Sequence, residues 1–280
     1  MNEDAGKLKQ RVYHREKRRI IRKSIDESYQ SWRNTTLFTE TESRKLGFDW
    51  ITKQMFNNTD RVFMDCDFPS PGDLMNFEDF TIRETIDDSF QYIWRHQVIL
   101  PITMQQAVAA MRMMVLNFAK GAIWSPGNGI LMDEELLEDV GREIVYSRTQ
   151  VNELEAVNLL CREFSPSDKK CVFVSQNILD DEALPFIQRQ CNRRFWIMLH
   201  SIHKNTTVCQ TLYANSQFFT KEGFVSIEEE AACWGYPDFP ADLSLHDQEI
   251  TFKRHANFVG TNFLSYNNQT FHATNAKLSE

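Results

Sequence analysis

No run of about 18 consecutive apolar residues occurs in the 280-residue sequence, so no membrane-spanning helix is expected. The first residues, MNEDAGKLKQRVYHREKRR, are charged throughout and lack the apolar core of a signal peptide, so no secretory leader is expected either. Without one, the Asn-x-Ser/Thr triplets at Asn34, Asn57, Asn205 and Asn268 read as chance. The six cysteines (66, 161, 171, 191, 209 and 233) include no pair at the two-to-four-residue spacing of a structural zinc site. Several sit among apolar neighbours, where a thiol behaves as a small hydrophobe, so reduced intracellular thiols are expected rather than a disulfide framework. There is no glycine-rich phosphate loop, no Gly-x-Ser-x-Gly and no His-Glu-x-x-His. No catalytic residue, metal site or cofactor is therefore assigned, and an enzyme is not expected. His200 and His203 would share a face if they lay on a helix, but no third ligand is near in sequence.

What is present is unevenly charged. Residues 1 to 23 hold nine Lys/Arg against three acids, a net +6, which leaves −14 on the remainder of a chain whose formal charge is −8. A basic arm on an acidic body does not suggest a body that wraps nucleic acid. REKRRIIRK reads either as a solvated helical start or as a nuclear import address. The expected division is a basic tail or hinge at 1–15 and one domain over 16–280.

With 42% hydrophobic and 12% aromatic residues, the chain is long enough for one large core. Spacings of three and four predict helices along most of it. Ile21, Ile25, Tyr29 and Trp32 mark the first, and ESRKLGFDWITKQMF a short second one before the loop DFPSPGD. Ile82, Ile86, Phe90 and Ile93 predict a helix from Phe80 to Val98, broken at Pro101. Val108, Met111, Val115, Phe118 and Ala122 mark another, apolar nearly all round and so central. SPGNGILM reads as a turn and a brief strand. Further helices are expected at 133–147, 150–164 and 180–203, the last with Ile187, Cys191, Phe195, Met198 and Ile202 buried. After 208 the pattern decays.

The order of these segments, over residues 15 to 203, resembles the ligand-binding domain of nuclear hormone receptors, in particular its vitamin D receptor-like and divergent nematode branches. The residues carrying the resemblance are Ile102, Gln106-Ala107, Ala110-Met111 and Arg112 in the central segment, then Glu155, Leu159-Leu160 and SPSD. The usual Asp-Gln pair is replaced here. The resemblance implies an all-α, three-layer antiparallel helical sandwich with at most a short β-hairpin, enclosing an apolar pocket.

On that basis Ile86, Phe90, Ile93, Ala119, Ala122, Ile123 and Trp124 would line the pocket. Ala122 stands where the family carries a ligand-anchoring arginine, so weakly polar sterols or fatty acids are favoured. Arg95 and Arg112 would flank a groove for coregulator helices, solvated surface arginines being the alternative. Glu155 would be a partly buried, fold-fixing charge paired with Arg193 or Arg194. The implied function is a nuclear transcriptional regulator that binds a lipophilic molecule and coregulator peptides and forms homo- or heterodimers. It would make no direct DNA contact, since zinc modules are lacking, and no membrane contact. The family's activating last helix has no counterpart between 208 and 280, which implies a repressing or dominant-negative output. Two other readings stand beside it: an interaction module without ligand, and a helical enzyme with an apolar site.

Overall fold

The computed structural model describes residues 36–278 except 86, 142 and 241, with side chains as far as residue 263. The first expected helix and the basic arm lie outside the described residues, as does the boundary at residue 15. The elements in order are β1 (Thr36–Leu37), α1 (Thr41–Asn57), α2 (Thr59–Asp65), β2 (Phe77–Glu84), β3 (Phe90–Leu100), α3 (Met104–Ala119), β4 (Gly129–Met132), α4 (Glu134–Val140), β5 (Ile144–Gln150), β6 (Ala156–Ser167), β7 (Lys170–Asn177), β8 (Asp180–Asp181), β9 (Arg193–His203), β10 (Thr206–Ser216), β11 (Phe219–Thr220), β12 (Gly223–Phe224), α5 (Ile227–Cys233) and α6 (Leu245–Leu278). Eight strands form one antiparallel sheet in the order β2-β3-β10-β9-β7-β6-β5-β4.

The sheet overturns the all-α expectation, and with it the nuclear-receptor resemblance. The three segments expected as helices at 80–98, 150–164 and 180–203 contain β2 and β3, β6, and β9. The reason is burial on both faces. In β3, Phe90, Tyr92, Trp94, Val98 and Leu100 are buried on one face, while Ile93 and Gln97 are buried on the other. A strand covered on both sides carries apolar residues at odd and even positions alike, so steps of three and four can be found in it without a helix.

Each face is covered by helices. Met55 of α1 and Val62 and Phe63 of α2 pack on Ile93, Val172, Val174, Trp196, Met198 and Leu212. Farther along the same face, Phe48 and Ile51 of α1 and Leu137 of α4 meet Ile144, Tyr146 and Leu160. The opposite face, with Tyr92, Trp94, Phe173, Phe195, Ile197 and Leu199, is covered by α3, α5 and α6. The result is a helix–sheet–helix sandwich. Fully burying an aromatic or aliphatic side chain such as Phe48 or Leu160 contributes about 1.5–3 kcal/mol.

Polar contacts lock the layers. Arg44, buried on α1, donates to both carboxylate oxygens of Asp181 at 2.8 Å and to Asp133 at 2.8 Å, while Tyr146 Oη donates to Asp181 at 2.7 Å. Trp196 Nε1 of the sheet donates to the Met55 carbonyl at 3.2 Å. The two edge strands are blunted: β4 has four residues, and β2 carries Glu78, Asp79, Arg83 and Glu84.

Candidate functional site

The register of three central strands builds the floor of a cavity. Trp94, Tyr213 and Phe195 lie side by side across β3, β10 and β9. The next row on the same face is His96, Thr211 and Ile197, and beyond it come Val98 and Cys209. Phe195 stacks on Tyr213 with centroids 4.1 Å apart, and Trp94 lies 4.9 Å from Tyr213, so the first row is a rigid aromatic wall.

The roof is α3. Pro101 ends β3's run, and Thr103 then caps the helix: its Oγ1 accepts from Gln106 N–H at 3.3 Å while Gln106 Oε1 accepts from Thr103 N–H at 3.0 Å. Ala110, Met114 and Asn117, spaced four and three, face the floor together with Met111 and Phe118. Alanine at 110 leaves space where a larger side chain would fill it. The turn after the helix adds Ala122 and Ile123, and Phe263 of α6 closes the side. These residues line a cavity of about 170 Å³ that is partly open to solvent. Asn117 is exposed and stands at its rim.

The wall formed by α6 is set by a glycine. Trp94 Nε1 donates to the Gly260 carbonyl at 3.0 Å, and a Cβ at Gly260 would sit 2.5 Å from Phe80 Cε1. Only a residue without a side chain lets the helix lie this close, one turn before Phe263. Gly129 performs the same task at the end of α3, where a Cβ would meet the Ala119 carbonyl at 2.5 Å.

The cavity is mostly apolar, with His96, Thr211 and Asn117 as polar exceptions. Burial pushes the Cys209 thiol up to about 12, against a hydrogen bond to Thr211, so this sulfur is protonated near neutral pH and is not an activated nucleophile. Next to the aromatic wall lies a buried carboxylate, Glu230 of α5, which accepts from Tyr92 Oη at 2.7 Å, Phe218 N–H at 2.9 Å and Trp234 Nε1 at 3.1 Å. Burial pushes it up to about 7 in spite of these three donors and nearby Arg189.

Of the residues picked out in the sequence, Ala122 and Ile123 line the cavity, and Trp124 stands edge-on to Phe195 at 6.2 Å. Ala119 is buried under β4, and Phe90 packs on Phe252 with centroids 5.5 Å apart. Ile93 points to the opposite face, into the core under α1 and α2. Ile86 lies outside the described residues. Arg95 and Arg112 do not share a groove, because the sheet separates them. Arg95 donates to Asp79 and to the Cys66 carbonyl on the α2 side, whereas Arg112, on α3, donates to both oxygens of Glu163 at 2.6 and 2.8 Å.

Glu155 precedes β6 and is 5% exposed. Arg193 Nη2 donates to its Oε1, and Arg189 Nη2 reaches its Oε2 at 3.5 Å. Arg194, the next residue on the strand, faces the other way and lies over Trp196. Arg193 also lies over Trp124, 5.9 Å from its ring centroid, the same ring that stands edge-on to Phe195.

His200 and His203 lie on strand β9, not on a helix, and a register shift against β10 falls between them. Among the described residues no group of His, Cys, Asp and Glu suits a metal ion. All six cysteines are free thiols.

His96, Thr211, Tyr213 and Phe195 were not read from the sequence as site residues. The available signal was the alternation of aromatic and small or polar residues in FQYIWRHQV and TTVCQTLYA, which a strand reading turns into one shared face.

No family model matches the chain, and no curated protein matches it. Among solved structures, it is similar to human StAR-related lipid transfer protein 5, at 9% identity over 77% of this chain and 99% of that one, with a TM-score of 0.39. It is similar to human STARD10 at 5% identity over 79% and 82% of the two chains, with a TM-score of 0.34. Norcoclaurine synthase from Thalictrum flavum, in complex with dopamine and hydroxybenzaldehyde, overlaps at 9% identity over 63% and 88%, with a TM-score of 0.29. These neighbours are not nuclear-receptor domains, and overlaps this loose show neither a family nor an activity for this chain.

Proposed function

We propose that this protein binds a small apolar molecule between α3, α6 and the central strands. The single observation that supports the reading is the cavity of about 170 Å³, walled by Trp94, Phe195, Tyr213, Phe118 and Phe263 and roofed by Met111 and Met114. Apolar cavities near 150 Å³ in other proteins stay dry and take benzene-sized guests. A sterol is several times larger, so the size favours a one-ring or compact two-ring compound over the sterols and long fatty acids that the sequence brought to mind.

A ligand of that size buries on the order of 150–250 Å² of apolar surface, as an aromatic side chain does. At about 25 cal/mol per Å² this amounts to about 4–6 kcal/mol, or a Kd between roughly 1 mM and 30 µM. Calorimetric titration with a panel of one- and two-ring compounds tests the reading. Saturable one-to-one binding is expected, and Ala110→Trp, which fills the cavity, should abolish it with the circular dichroism spectrum unchanged. Absence of binding across the panel, or binding indifferent to Ala110→Trp, would overturn it.

A further inference from the structure

A second cavity, of about 210 Å³ and partly open to solvent, lies where β3 begins and β10 ends. We infer that it binds a small neutral ring compound bearing a carboxamide or lactam, held by the side-chain amides of Gln91 and Asn192. Gln91 alternates with Phe90 and Tyr92 along β3, so it faces away from the cavity under α3. The two sites are separate, and either reading can fail alone.

The register builds the polar side. Gln91 lies directly opposite Ser216 of β10. Ser216 in turn holds Asn192: its N–H donates to the Asn192 carbonyl at 2.9 Å, and its Oγ accepts from the Asn192 N–H at 3.0 Å. Gln91, Ser216 and Asn192 therefore form one row across the end of the sheet, and all three line the cavity. The β11–β12 hairpin supplies the aromatic side. Phe219 and Phe224 stand edge to face with centroids 6.2 Å apart. The hairpin is anchored at its base. Phe219 exchanges two backbone bonds with Gln190 at 2.8 and 2.9 Å, while the Gln217 side chain accepts from Phe90 N–H at 3.1 Å and donates to the Val225 carbonyl at 2.9 Å.

Most polar groups of the lining are already bonded. The Thr85 and Ser89 hydroxyls bond each other at 2.8 Å, Ser216 Oγ donates to the Gln217 carbonyl at 2.7 Å, and Thr220 Oγ1 donates to Glu222 at 2.7 Å. Arg194 lies over Trp196 and has a further partner, so it is not counted toward the ligand. Gln91 and Asn192 differ. Their bonds among the described residues run through the backbone, so each half-buried side chain keeps an NH2 donor and a carbonyl acceptor for a guest. A carboxamide or lactam presents a donor and an acceptor in one plane, the pattern that Asn and Gln pair with bidentately. A carboxylate presents acceptors only and sets its charge against the amide carbonyls. A hydrocarbon covers both amides and leaves them without water or partner. Among the described residues no Asp or Glu lines the cavity, so a cationic guest finds no counter-ion. The ring of the ligand belongs against Phe219 and Phe224.

The test compares benzamide, benzoate and benzene, which share the ring and differ in the polar group. Each is titrated into 15N-labelled protein. The side-chain amide signals of Gln91 and Asn192 are identified by their loss in Gln91→Met and Asn192→Leu, which keep the side-chain size. Benzamide should shift both signals saturably with one common Kd. Benzoate and benzene should act on them about tenfold more weakly or less. Asn192→Leu, followed at the Gln91 signal, should weaken benzamide about fivefold, and Gln91→Met, followed at the Asn192 signal, should do the same. No saturable movement of the two signals with benzamide would overturn the inference. So would equal affinity for benzamide and benzene at these signals, or a benzamide affinity unchanged in both variants.

Discussion

Glu230→Gln should abolish a pH dependence that this one carboxylate gives the fold. The Glu230 side chain is fully buried, and burial raises it from the ordinary 4.5 to about 7. The sign follows from linkage. Below about pH 4.5 the residue is protonated in both folded and unfolded chains, and its contribution to stability is fully present. Between pH 4.5 and 7 the unfolded chain ionises first, so stability falls as pH rises. Above about pH 7 both states are ionised and the loss levels off. Each pH unit between the two values is worth about 1.36 kcal/mol, so the whole loss is about 3 kcal/mol.

Glutamine cannot ionise. It retains an acceptor for Tyr92 and Trp234 but opposes an amide donor to one of the three donors, a cost that does not vary with pH. Urea denaturation of both proteins at pH 5 and pH 8 isolates the effect. The wild type should lose about 2–3 kcal/mol more than Glu230→Gln across that interval. Identical pH dependence in the two proteins would refute the reasoning and place this carboxylate in a far more hydrated setting.

Glu155→Ala, which leaves Arg193 buried without its partner, should lower stability by about 2–4 kcal/mol, read as a shifted denaturant midpoint at unchanged slope. Arg44→Ala leaves the fully buried Asp181 side chain without its cation, though still bonded by Tyr146, and should cost about 3–5 kcal/mol in the same assay, with α1 losing amide protection first in hydrogen exchange. Gly260→Ala forces α6 away from Phe80. It should cost about 1–3 kcal/mol and weaken ligand binding, whereas alanine at the exposed Phe258 should do neither.

The helices α1 and α3 were legible in the sequence because the buried residues of each recur at spacings of three and four; the apolar residues all round α3 do not put it in the middle of a bundle, since Met113 and Leu116 are exposed. Phe48, Ile51 and Met55 of α1 repeat at three and four, and Ala107, Ala110, Met111 and Val115 of α3 do the same. The brief strand in SPGNGILM was legible too, as β4, because a glycine-bearing turn precedes it. The sheet was not. In β9, Phe195 and Met198 fit a helical stripe yet point to opposite faces, since the strand is covered by α3 on one side and α1 and α2 on the other.

Two signals could have arbitrated. One is the density of β-branched and aromatic residues in CVFVS and RRFWI. The other is the short polar breaks at Asp168-Lys169 and Lys204-Asn205, which join β6 to β7 and β9 to β10 as hairpins. SPSD was instead read as the stop of a helix. Ala122 and Ile123 were named only through the nuclear-receptor resemblance, and the structure places both in the turn after α3, beside the cavity. The floor was missed because it exists only once three strands are in register.

The central claim is that a ring-sized molecule enters between α3 and the sheet. Its most direct measurement is methyl NMR of protein labelled with 13C at its methionine methyl groups, titrated with p-cresol. Met111 and Met114 line the cavity, and Met55 is buried on the opposite face of the same sheet. The account predicts saturable shifts of the Met111 and Met114 methyl signals with one common Kd, and a still signal from Met55. No saturable change at Met111 and Met114, or equal movement of Met55, would contradict it.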